Sequence, residues 1–186
     1  PLFCNVGNGE FTLAESSPCV GAGEAGADMG ALDVGCAEPY MNYSLSFDGD
    51  DDYVDCGNNE LIGPTETIPL TISLWVKLNS LDDVIVSKYD NSNPNNSNFY
   101  IGTTDGGSFS VAGDGSNGFY FGTVQLNEWQ YISVVFENST ITNAYVNGNL
   151  ENSGQLNLSP GVSSMPLLIG AMPGSPYNVD GLIDEV

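Results

Sequence analysis

The stretch Leu70-Thr71-Ile72-Ser73-Leu74-Trp75-Val76-Lys77 decides the fold class. Leu70, Ile72, Leu74 and Val76 alternate with Thr71, Ser73, Trp75 and Lys77, a period of two with one strongly apolar face, which is the pattern of a strand lying on a core. Further strands are expected at Asp83 to Lys88, Asn98 to Thr103, Ser108 to Gly113, Gly118 to Val124, Trp129 to Phe136, Ile141 to Val146, Pro166 to Gly170 and Val179 to Val186. Asp105-Gly106-Gly107, Asp114-Gly115 and Asn147-Gly148 separate them with residues that accept positive φ. Many short strands, with no helical pattern of useful length, predict an all-β protein built as a two-sheet antiparallel jelly-roll sandwich. Trp75 and Trp129 lie inside these strands, so core packing is expected of both rings rather than sugar stacking.

A chain of 186 residues can bury about 70% of its unfolded surface, enough for one good core and a small second unit. Its charge is lopsided: Lys77 and Lys88 are the only basic side chains, Arg and His are absent, and the formal net charge is -22. Phosphate binding needs Lys or Arg, which argues against nucleic acid and anionic membranes as partners. With 41% hydrophobic residues the chain is expected to fold despite its charge. Cys4, Cys19, Cys36 and Cys56 form an even set without a C-x-x-C pair or a His to complete a zinc site, so extracellular disulfides are expected, with three possible connectivities. No signal-peptide pattern and no apolar run of about 18 residues occurs, so no membrane insertion is expected, and any export signal is expected upstream.

Composition changes near Ala37-Glu38-Pro39-Tyr40. Before it Gly, Ala and Cys dominate; after it the alternating strands take over, giving expected domains 1–39 and 40–186. Phe47-Asp48-Gly49, Asp52-Tyr53-Val54, the 71–76 strand, Asn127-Glu128-Trp129-Gln130-Tyr131-Ile132, Ala144-Tyr145-Val146-Asn147-Gly148 and Gly181-Leu182-Ile183-Asp184-Glu185-Val186 follow one another in an order that resembles a laminin-G-like (concanavalin A-like) jelly roll over residues 41–186. Pro1-Leu2-Phe3, Asn8-Gly9-Glu10-Phe11-Thr12-Leu13, Ser17-Pro18-Cys19 and Ala27-Asp28-Met29-Gly30 resemble the last coil of a right-handed parallel β-helix from a secreted bacterial surface protein. One such coil cannot bury both faces alone. In the laminin-G-like family the strand at Gly181 to Val186 normally runs on, so the resemblance implies either a truncated strand or an open edge filled by another chain.

The segment from Ser46 to Gly57 carries Asp48, Asp50, Asp51, Asp52 and Asp55, a density that requires water, a cation or hydrogen-bond donors. Asp48, Asp50 and Asp52 stand at alternate positions as in an EF-hand loop, but Tyr53 occupies the glycine position and Asn59 the bidentate Glu position, so that reading fails. The plainer reading of Asp48 is a turn cap, and Asp51 and Asp55 are expected to face water. Laminin-G-like folds often hold calcium where the first and last strands meet, and the resemblance implies Asp48, Asp50 and Asp184 as its ligands. Pentraxins, relatives of that fold, bind calcium partly through an Asp-Asn pair matched here by Asp90-Asn91, while Ala171-Met172-Pro173 replaces their acidic cluster. The Asn-rich loop Asp90 to Asn98 is the expected recognition loop. Asn42, Asn95, Asn138 and Asn157 each open an Asn-x-Ser/Thr sequon, a match that Asn-rich chains also produce by chance.

Without His there is no Ser-His or Cys-His nucleophile pair, and the Glu-x-Asp-x-x-Glu and Glu-x-Asp-x-Glu patterns of enzymes on a similar jelly roll do not occur. The expectation is a non-catalytic, secreted or cell-surface module for adhesion or glycan binding, with calcium as cofactor. A glycan, an extracellular protein or copies of itself are the expected partners. Two alternatives are a structural subunit of an extracellular assembly and an accessory domain of a polysaccharide-degrading enzyme.

Overall fold

The computed structural model describes residues 3–5, 9–15, 17–29, 32, 34–36, 44–58, 69–89, 98–113, 118–138, 141–156 and 165–186. The chain divides into two units, Pro1–Tyr43 and Ser44–Val186. The boundary expected at residues 37–40 falls outside the described residues.

In the first unit, β1 (Phe3–Asn5), β2 (Glu10–Ala14) and β3 (Val34–Cys36) form a three-stranded sheet in that order. No β-helix coil is evident among the described residues. The connection from Asn5 to Glu10 is too short for a parallel crossover, so β1 returns antiparallel on β2 with Phe3 opposite Leu13, and only the β2–β3 pair is parallel. Leu13 and Ala14 are buried, and Phe3 meets Phe11 edge-on at 5.9 Å. Cys4 is buried and disulfide-bonded. Cys19 and Cys56 are free thiols, which corrects the expectation that all the cysteines pair. Cys19 sits half-buried in the turn after β2, and Cys56 is exposed in the second unit.

The second unit is an antiparallel sandwich. Its strands are β4 (Leu45–Asp48), β5 (Val54–Asp55), β6 (Leu70–Leu78), β7 (Val84–Lys88), β8 (Phe99–Thr103), β9 (Phe109–Ala112), β10 (Gly118–Phe121), β11 (Gln130–Phe136), β12 (Ile141–Val146), β13 (Asn149–Gln155), β14 (Leu168–Ile169) and β15 (Asp180–Asp184). Among the described residues these form two six-stranded sheets, β10-β9-β8-β7-β14-β5 (the β7 sheet) and β13-β12-β11-β6-β15-β4 (the β6 sheet). Alternation drives the packing: Leu74, Val76 and Leu78 of β6 and Ile132, Val134 and Phe136 of β11 join Ile85, Phe99, Ile101, Phe109 and Val111 of the β7 sheet in one core. Phe99 and Phe136 meet across it with ring centroids 5.3 Å apart. Asn147 and Gly148 turn β12 into β13 with φ of 50° and 79°, the paired positive values of a type I′ hairpin.

The same period of two that buries Leu74 and Val76 sends Trp75 outward, so the expectation of a core Trp75 is corrected. Trp75 is 37% exposed and lies against Tyr131, its cross-strand partner, with ring centroids 5.3 Å apart. Trp129 precedes β11 and is 40% exposed. Strand β15 lies between β6 and β4 and is paired on both sides, so its described residues are not the open edge expected of the last strand. Gly170 closes β14 at φ 90°, and a Cβ there would run into the Phe47 ring. Its N–H donates to the Ile85 carbonyl and its own carbonyl accepts from Val179 N–H, which fixes the start and end of the loop that leads into β15.

Candidate binding site

The acidic segment forms the β4–β5 turn. Asp48 Oδ1 accepts from the Asp50 N–H at 2.9 Å, Asp52 Oδ2 accepts from the Asp48 N–H at 3.2 Å, and Gly49 takes φ 82° to close the turn. Asp48 therefore caps its own turn. That folding brings Asp48, Asp51 and Asp52 together, each exposed and offering a carboxylate oxygen within 4.8 Å of the others. These are hard oxygen donors of the kind calcium takes, and the turn's hydrogen bonds occupy only one oxygen each of Asp48 and Asp52. The strand register sets Asp180 opposite Asp48, while Asp184 stands opposite Trp75 on the next pair. Four residues of extended strand separate Asp180 from Asp184, about 13 Å, so Asp184 is not brought to Asp48. Asp50 joins the turn through its backbone, its carbonyl accepting from Asn178 Nδ2. Asp90 and Asn91 fall outside the described residues, as does most of the Asn-rich loop.

Beside this turn, on the side of the β7 sheet away from the core, opens a cleft of about 390 Å³. Asp50, Asp51, Tyr53 and Asp55 line one wall, while Met172 and Asn178 from the β14–β15 loop line the other. Leu168 contributes an apolar floor. Tyr53 is 57% exposed, which leaves this lining residue accessible to a ligand. Met172 also borders a second depression of about 240 Å³, lined by Asp82, Asp83, Val84, Tyr89, Tyr100, Thr103 and Tyr177. There Asp83 is buried, and burial pushes its carboxyl up to about 6. The Ser80 hydroxyl and the Asp180 backbone amide lower it in part, while the Asp180 and Asp82 charges raise it.

The family model for the concanavalin A-like lectin/glucanases superfamily matches residues 48–186. The chain belongs to that superfamily. Its laminin-G-like resemblance is thereby established for this region, and solved structures agree on the fold. The Ruminococcus gnavus IT-sialidase CBM40, solved with α2,3-sialyllactose, is 10% identical at TM-score 0.60, covering 76% of this chain and 85% of that one. Domain 4 of the extracellular arabinanase AbnA from Geobacillus stearothermophilus, solved with arabinotriose, is 15% identical at TM-score 0.55, covering 83% and 75%. The heptameric SAP-like pentraxin of Limulus polyphemus is 14% identical at TM-score 0.56, covering 76% and 73%. No curated protein matches the sequence.

On this lectin/glucanase sandwich the cleft is assembled from residues far apart in sequence. Asp51 and Asp55 are exposed, as expected, and also line the cleft, whereas no expectation singled out Tyr53, Asp83, Met172 or Tyr177 as a lining residue. One signal was available: Asp82-Asp83 runs directly into the unbroken apolar Val84-Ile85-Val86, so the second carboxylate enters a strand buried on both faces.

Proposed function

We propose that the second unit is a non-catalytic carbohydrate-binding module of a secreted or cell-surface protein. The observation that carries this reading is the cleft beside the β4–β5 turn, where an exposed Tyr53 stands among Asp50, Asp51, Asp55 and Asn178 over an apolar floor. An aromatic face packs on the C–H side of a sugar ring while carboxylate and amide oxygens accept from its hydroxyls, so the cleft offers both halves of sugar recognition. The sialyllactose and arabinotriose complexes formed by proteins of the same fold support the reading. Calcium is its cofactor: held by Asp48, Asp51 and Asp52, it would neutralise the turn that carries Tyr53 and fix that ring's position. The disulfide at Cys4 suits an oxidising compartment.

Calorimetry against a panel of oligosaccharides, with calcium and with chelator, tests it. Saturable binding to at least one glycan is expected, weakened about tenfold by Tyr53→Ala. Calcium at about 100 times its dissociation constant should add about 2.7 kcal/mol to stability, an effect lost in Asp51→Asn. Absence of binding across the panel, or binding indifferent to Tyr53→Ala, sinks the reading. Turnover of any polysaccharide by this chain would overturn its non-catalytic part.

A further inference from the structure

We propose that the second depression, walled by Asp82, Asp83, Tyr89, Tyr100, Met172 and Tyr177, binds an alkylammonium group. This depression shares Met172 with the glycan cleft, but its proposed ligand does not depend on the glycan reading. Its walls come from three parts of the fold held in fixed relation. The turn before β7 is locked to β8, because Asp83 N–H donates to Thr103 Oγ1 at 2.9 Å and Thr103 N–H returns to the Asp83 carbonyl at 2.8 Å. The β14–β15 loop is locked to β7, because Val84 N–H donates to the Tyr177 carbonyl at 2.9 Å. Tyr89 and Tyr100 meet edge to face at 5.2 Å, and Tyr177 is 47% exposed at the rim.

The chemistry of this lining selects the ligand. Tyrosine faces carry negative quadrupole potential and attract an organic cation, and the carboxylates of Asp82 and Asp83 add to that field. Neither Lys77 nor Lys88 lines the depression, and the sequence contains no Arg or His to neutralise it. Asp83 is buried with only neutral donors, the Ser80 hydroxyl at 2.9 Å and the Asp180 amide, on its carboxylate. Burial is the first cause of its raised pKa and of that of the Tyr100 hydroxyl, and negative neighbours add to both, Asp82 among them in each case. A bare metal ion suits the site poorly. Among the described residues the one group of three carboxylates close enough to share an ion is Asp48, Asp51 and Asp52, and Asp82 and Asp83 belong to no such group. At about 240 Å³ the space falls below that of a drug-sized pocket and suits a single headgroup.

The test is an NMR titration of tyrosine ring signals in chelator, using Nα-acetyl-lysine amide and tetramethylammonium as cations. Nα,Nε-diacetyl-lysine amide serves as the neutral control at matched ionic strength. Saturable shifts of the Tyr100 and Tyr177 rings are expected with at least one cation and not with the control. The cation that binds tighter assigns the site to primary or to methylated ammonium. Asp82→Asn, at an exposed position whose φ of 67° Asn also accepts, should weaken binding about tenfold. Tyr177→Ala should weaken it by a similar factor. The proposal is overturned if neither cation shifts these rings, if the diacetyl control shifts them equally, if binding requires calcium, or if both variants bind as the parent does.

Discussion

Lys77 and Lys88 are the only basic side chains of a chain with net charge -22, and they stand one on each sheet. Lys77 lies half-buried on the outward side of β6, across from Leu182. Lys88 is 1% exposed at the end of β7, where Nζ donates to Asn58 Oδ1 at 2.8 Å and to the Met165 carbonyl at 2.7 Å. The difference extends to the sheets around them. β7 is buried along its whole length and its sheet carries both clefts, whereas β6 buries only its inward residues and leaves the Trp75–Tyr131 pair open. The cation of the β7 sheet is committed to holding chain segments together. Neither lysine lines the two clefts on that sheet.

The sharpest way to break this contrast is to remove each lysine in turn. Lys88→Ala should cost about 3–5 kcal/mol, because it empties a buried volume and strips the donor from a backbone carbonyl and from Asn58. Lys77→Ala should stay within about 0.5 kcal/mol. Urea midpoints of the two variants decide this, and comparable losses would mean that the sheets do not differ as described.

Asp83 gives the next largest effect, and its sign is fixed by the direction of its pKa. The carboxyl titrates near 3.8 when unfolded and at about 6 when folded, so the folded state holds the proton more tightly. Its contribution is fully present below pH 3.8 and is lost as pH rises through about 6, by at most about 3 kcal/mol at 1.36 kcal/mol per unit. Asp83→Asn, which still accepts from Ser80, should match the parent near pH 3.5 and exceed it in melting temperature above pH 6. A constant difference between the two curves across that range would rule out an ionised, buried Asp83.

Much of the sandwich was legible because its signals are local. The alternation from Leu70 to Val76 and the Asn147-Gly148 turn each specify geometry within a few residues. Strand β13 was missed because Asn149-Leu150-Glu151-Asn152-Ser153-Gly154-Gln155 is an edge strand with most side chains in water and no apolar alternation to betray it. The first unit misled for another reason: the resemblance concerned a stacked coil, whereas a short connection imposes an antiparallel β1–β2 pair. The clefts were illegible in principle, since the β4–β5 turn, the start of β7 and the β14–β15 loop meet only after both sheets have formed. Register had the same effect on Asp184. The resemblance placed it with Asp48, and pairing to β6 gave it Trp75 as neighbour instead.

Trp75 gives the smallest expected effect on stability and the most direct check on where ligands bind. Its ring is partly solvated and its packing is one cross-strand contact with Tyr131, so Trp75→Ala should cost about 1 kcal/mol. Phe136→Ala, which empties the fully buried core, should cost about 3–5 kcal/mol. The ring nonetheless has the shape of a sugar platform, and Asp184 beside it could accept from a hydroxyl. If the clefts of the β7 sheet are the binding sites, Trp75→Ala leaves glycan and ammonium affinities unchanged while Tyr53→Ala removes the first and Tyr177→Ala the second. Loss of glycan binding in Trp75→Ala, with Tyr53→Ala silent, would move the carbohydrate site to the open face of the β6 sheet. The β7 sheet would then keep only the ammonium site.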